Sequence, residues 1–161
     1  MFPTYASKAV FPLGHGLSYT SFEYQDLAVE STEVPADGLI RLSFTVANTG
    51  QRAGDEVVQV YGRDMIGRTV RPERVLVAFR RLHLQPGAAT RVSADVPASL
   101  FALWDAQDGW VVEPGEIGFY IGASSADTRL HATVTLTGSD QFPGAGRALA
   151  AQITAGDGGL N

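Results

Sequence analysis

The sequence predicts an all-β protein, an antiparallel β-sandwich, on three observations. Stretches of alternating apolar and polar residues recur roughly every eight to twelve positions, clusters of Pro, Gly, Asn and Asp separate them, and no stretch keeps a long helical period. An immunoglobulin-like, Greek-key arrangement is the default for strands spaced this way.

The first strand pattern is Phe22, Tyr24, Leu27 and Val29, whose alternation slips once near Asp26, as a β-bulge would make it do. Pro35, Asp37 and Gly38 stop it. The clearest strand is residues 39–47, with Ile40, Leu42, Phe44 and Val46 on one face and Arg41, Ser43 and Thr45 on the other. Asn48, Thr49 and Gly50 then supply a turn, and residues 56–63 resume as a β-branched and aromatic strand. These two strands are expected to pair or to face each other across the core.

A charged loop at residues 64–73 leads into residues 75–84, where a mixed period suggests two short strands around Arg80 and Arg81. After the turn at Gln85, Pro86 and Gly87, another half-buried strand carries Val92, Ala94 and Val96. Residues 97–104 suit a short helical turn, and the Asp-Gly ending of residues 105–109 predicts a hairpin into Trp110, Val111 and Val112. Ile117, Phe119 and Ile121 mark one further strand, and Leu130, Ala132, Val134 and Leu136 the last. Three parts follow: residues 1–10 before the globular pattern, a sandwich over 11–138, and an Ala- and Gly-rich tail over 139–161, read as frayed and flexible.

Composition narrows the function. The chain has 161 residues, enough for one domain, and 45% hydrophobic content can form a core. A net charge of -5 argues against a nucleic-acid partner. No apolar run approaches the roughly 18 residues of a membrane span. The absence of cysteine excludes disulfides and thiolate chemistry. Residues 1–10 lack the pattern of a signal peptide, and secreted, periplasmic and cytoplasmic locations all stay open.

Chemistry-bearing residues are sparse. Residues 11–20, FPLGHGLSYT, place His15 between Gly14 and Gly16 but complete neither a dinucleotide-binding nor a nucleophile-elbow motif. Asp55 with Glu56, Asp105 with Asp108, and Glu113 with Glu116 sit at turns or strand starts and read as solvated carboxylates, so no catalytic residue is assigned. His15, His83 and His131 lie far apart in the chain, and neither a metal set nor a cofactor site is expected. Trp104 and Trp110 could stack on sugar rings from an exposed face, but packing on a sheet edge is the favoured reading, because both adjoin apolar neighbours, Leu103 and Val111. Arg63, Arg68, Arg71, Arg74, Arg80 and Arg81 concentrate positive charge in one third of the chain.

Four separated motifs in order, FPLGHGLSYTSFEY, VANTGQRAGDEVVQVYGRD, RPERVLVAFRRLHLQPG and LWDAQDGWVVEPGEIGFYIGAS, resemble the C-terminal fibronectin type III-like domain of family 3 glycoside hydrolases, the beta-glucosidases and beta-xylosidases. The likeness runs from about Phe11 to Leu136, with Leu13 in place of an aromatic and Ala78 in place of a glycine. It implies a non-catalytic accessory module, because the family's nucleophile and acid/base belong to preceding domains. Residues 1–10 would then be the remnant of a linker from those domains. Phe11, Leu13, His15 and Tyr19 are the expected docking residues, and some of these aromatics, with Phe2 and Tyr5, should be unusually exposed. The alternative is an autonomous carbohydrate- or surface-binding module, taking oligo- or polysaccharide on Trp104, Trp110, Arg68 and Arg71.

Overall fold

The computed structural model describes residues 10–65 and 73–156. Two sheets face each other. The first holds β1 (Phe22–Val29), β3 (Leu39–Asn48), β6 (Ala89–Pro97) and β11 (Gln152–Ala155), in the order β1-β3-β6-β11. The second holds β2 (Glu33–Pro35), β10 (Thr128–Thr137), β9 (Gly115–Gly122), β4 (Gly54–Asp64) and β5 (Val75–Leu84), in the order β2-β10-β9-β4-β5. A separate hairpin pairs β7 (Leu103–Asp105) with β8 (Gly109–Val111).

Alternation decides which side chains meet between the sheets. Ile40, Leu42, Phe44 and Val46 of β3 and Val92, Ala94 and Val96 of β6 point inward from one sheet. Val58 and Val60 of β4, Ile117, Phe119 and Ile121 of β9, and Val134 and Leu136 of β10 meet them from the other, forming one continuous core. Thus β3 and β4 are not paired but face each other. The expected bulge is present: the register of β1 on β3 shifts between Gln25 and Ala28, and Asp26 takes a positive φ of 55°. A 3₁₀ turn at Ala98–Phe101 and the Asp-Gly hairpin also form where the sequence places them.

Two expectations need correction. Residues 75–84 form one strand and not two. Their mixed period has two causes: the register against β4 shifts between Val60 and Tyr61, and Arg80, on the inward phase, reaches past the sheet edge toward the Ile153 carbonyl at 3.4 Å. The sandwich is antiparallel as expected, apart from one short parallel addition, the three-residue strand β2 beside β10. Strand structure also continues beyond Gly138: Gln152–Ala155 pairs with β6. The Ala151 amide donates to the Val77 carbonyl of β5, and Gly156 bonds to Arg91 and Thr90. This strand therefore runs along the open side between β5 and β6, covering edges that would otherwise be free to pair with another chain. With only Ile153 as a large apolar side chain, its sequence carries almost no alternation signal.

Candidate docking surface

Residues 10–21 lie across the outer face of the five-stranded sheet, and backbone carbonyls hold them there. Because Val58 and Val60 point into the core, the residues between and after them, Gln59 and Tyr61, point out. Both are nevertheless buried, because the opening segment covers them. Gln59 Nε2 donates to the carbonyls of Gly14 (3.2 Å) and Ala123, while the Tyr61 hydroxyl donates to Leu13 O (3.2 Å) and lies against Gln59 Oε1. The Ser125 amide adds a second bond to Leu13 O at 2.9 Å. Gly14 is required on two counts, since its φ is +78° and a Cβ there would lie 1.9 Å from Gln59 Oε1.

A second anchor sits at the other end of the segment. Asn48, almost fully buried, donates through Nδ2 to the carbonyls of Arg52 and Leu84, and its Oδ1 accepts from the Gly50 amide and the Thr20 hydroxyl. Thr20 fits this corner only because position 50 has no side chain; a Cβ on Gly50 would lie 2.1 Å from Thr20 Oγ1. The Asn-Thr-Gly turn thus ties β3, β5 and the opening segment together.

With its backbone bound down, the segment sends apolar side chains outward. Leu17 and Tyr19 are each 95% exposed, Phe11 is 68% exposed, and Leu13 is 64% exposed. His15 stacks on Phe11 with ring centroids 5.3 Å apart. Only Phe22, where β1 begins, turns into the core. The exposure expected for the aromatics of this stretch is found at Phe11 and Tyr19; Phe2 and Tyr5 lie outside the described residues.

Beside the segment runs a groove of about 700 Å³ with apolar walls at Leu17, Val57, Leu76 and Phe79, the last itself 64% exposed. Charged groups line it too. Asp55 is held below the usual carboxylate range by hydrogen bonds from Arg81 and then His83. Asp127 is lowered in the same way by the two-pronged Arg129 guanidinium, whose Nη1 also bonds to Phe22 O. Glu56 moves the other way: burial raises its pKa, and its Oε1 accepts from the Val57 amide. Burial also raises the pKa of Tyr24, and the neighbouring Glu56 carboxylate raises it further.

The other sequence candidates lie away from this groove or form no binding platform. Trp104 and Trp110 meet edge to face, with centroids 5.5 Å apart and planes at 76°, and Arg147 covers the Trp110 ring at 3.8 Å. Trp104 stays exposed, so the hairpin presents one indole and no flat platform. Arg68 and Arg71 lie outside the described residues. Asp105 caps its own turn through the amides of Gln107 and Asp108. Among the described residues, no group of three His, Asp or Glu side chains could hold a metal ion.

Sequence reading missed Gln59, Tyr61, Asn48 and Thr20 as anchors. A signal existed in the run Val57-Val58-Gln59-Val60, where an amide interrupts β-branched residues in a strand that must bury both faces. The groove carboxylate Glu56 left no such trace.

Fold and surface together define a β-sandwich module whose most apolar exposed stretch is its entry segment. The family model for the fibronectin type III-like domain matches residues 56–125. The chain is 39% identical over 134 residues to thermostable beta-glucosidase B of Acetivibrio thermocellus, covering 83% of this chain and 18% of that protein. It is 39% identical over 128 residues to a beta-xylosidase of Formosa agariphila, covering 80% of this chain and 18% of that one. Beta-glucosidase 3B from Thermotoga neapolitana, solved with glucose, superposes with a TM-score of 0.76 at 35% identity, over 86% of this chain and 19% of its own. The chain belongs to the fibronectin type III-like domains of family 3 glycoside hydrolases. It spans under one fifth of the length of these relatives and does not contain their catalytic domains.

Proposed function

We propose that this chain is the non-catalytic accessory domain of a family 3 glycoside hydrolase of the beta-glucosidase or beta-xylosidase type, and that it docks on the catalytic domains through residues 10–21. One observation carries the reading: the segment is pinned by its backbone while Phe11, Leu13, Leu17 and Tyr19 face solvent. Ordered backbone with contiguous exposed apolar side chains is the condition of a surface prepared for a partner. His15 takes part by stacking under Phe11, which fixes that ring's orientation. The alternative, a carbohydrate-binding module on Trp104 and Trp110, gains no support from two rings at 76° with one covered by Arg147.

The test is calorimetry of the parent enzyme carrying Leu17→Ser and Tyr19→Ser. The expected result is that the sandwich unfolds as a separate, earlier transition, while the chain alone keeps its own melting temperature. An unchanged profile in the parent contradicts the docking role. Hydrolysis of an aryl glycoside by the isolated chain, lost on mutating one of its carboxylates, would equally overturn the non-catalytic assignment.

A further inference from the structure

We infer that the groove beside the opening segment receives a lysine or arginine side chain flanked by apolar residues, on an extended segment of the docking partner. The inference rests on the docking reading above and adds the chemistry of what is bound. It starts from strand pairing. β9 pairs with β4 only from Gln59 to Asp64, where Gln59 meets Gly122 at the end of β9. β4 itself begins at Gly54, so its first residues have β5 on one side only. The groove lies along this stretch, lined by Asp55, Glu56 and Val57 from the strand and by Leu17 from the opening segment. A free strand edge with apolar walls suits an extended occupant.

Charge then selects among occupants. Asp55 and Asp127 already have their own cations, Arg81 and Arg129 respectively, and the His83 ring also hydrogen-bonds to Asp55. Glu56 makes no direct ion pair among the described residues; Arg129 favours its charge from farther off, but burial outweighs that and leaves its pKa raised. Its Oε1 accepts from the neighbouring Val57 amide, and the neutral Tyr24 hydroxyl, buried beside it, brings no positive charge. Arg129, the nearest guanidinium, is committed to Asp127 and to Phe22 O. An acidic occupant would face three carboxylates, and a wholly apolar one would strip Glu56 of its remaining water without replacing it. A cation with apolar neighbours satisfies Glu56 and the walls together.

The experiment is a nitrogen-15 NMR titration of the full chain with acetyl-Leu-Arg-Leu-amide and, separately, acetyl-Leu-Gln-Leu-amide. The expected result is shifts at the amides of Glu56, Val57, Phe79 and Ala123. The arginine peptide should bind about tenfold tighter, the order of one charge-assisted hydrogen bond. Glu56→Gln should remove that preference while leaving the glutamine peptide unaffected. Equal binding of the two peptides, no binding of either, shifts elsewhere on the surface, or a preference that survives Glu56→Gln would each overturn the inference. Such a failure leaves the docking role standing if Leu17→Ser with Tyr19→Ser still splits the parent's unfolding. An unsplit transition instead removes the docking role, and with it the partner named here.

Discussion

Strand β3 and residues 10–21 are both fixed by hydrogen bonds, yet they send their apolar side chains in opposite directions. In β3 the ladder and the burial agree: Ile40, Leu42, Phe44 and Val46 are sealed between the sheets. In the opening segment the carbonyls of Leu13 and Gly14 are bound down by Gln59 and Tyr61, while Leu17 and Tyr19 meet water. The contrast separates two ways of ordering a chain. Burial of apolar area, at about 25 cal/mol/Å², places β3 and uses its side chains in doing so. Polar anchors, each a net stabilisation of roughly 1 kcal/mol, place the opening segment and leave its side chains available to another surface.

Substitutions can break this contrast at either end. Phe44→Ala should cost about 3–5 kcal/mol in urea unfolding of the chain, because it opens a cavity in the centre of the core. Asn48→Ala should come next, at about 2–3 kcal/mol, since it leaves the Leu84 carbonyl and the Gly50 amide without their bonds and frees Thr20. Gly14→Ala should cost about 1–2 kcal/mol through its positive φ and the clash with Gln59, and should raise the accessibility of Tyr61 to nitration. Leu17→Ser with Tyr19→Ser should change the stability of the isolated chain by no more than about 0.5 kcal/mol. A large loss there would mean that the segment is placed by its side chains after all.

The groove predicts two opposed pH effects. Asp55 and Asp127 have lowered pKa values in the folded chain, so their stabilisation is present above the ordinary carboxylate range and is lost as pH falls through it. Glu56 has a raised value, so its ionisation weakens the fold as pH climbs from the ordinary glutamate range through the raised one. Asp55→Asn should flatten the acid limb of a melting-temperature profile. Glu56→Gln should raise the melting temperature near neutral pH by about 1–3 °C. A lower melting temperature would show that Glu56 already has its counter-charge within the chain.

The sandwich was legible because its core strands keep strict alternation, and the turns between them use Asn, Gly, Pro and Asp in the positions those turns demand. Strand β11 was not legible, since Ala- and Gly-rich residues pair through backbone groups that any sequence carries. Strand β5 misled because a register shift and an edge arginine both disturb the period. The proposed docking stretch was visible as aromatics around two glycines. Its anchors were not, because Gln59 reaches Gly14 across 45 positions of sequence and only the fold brings them together. Glu56 was visible as a carboxylate but not as a desolvated one, since only the fold sets it beside Tyr24 and Arg129.

The most direct test of the central claim is hydroxyl-radical footprinting of Phe11, Leu17 and Tyr19 in the isolated chain and in the parent enzyme. All three should be heavily modified in the chain alone and strongly protected in the enzyme, while Trp104 stays reactive in both. Equal modification of Leu17 and Tyr19 in the two proteins would contradict a docking surface at residues 10–21.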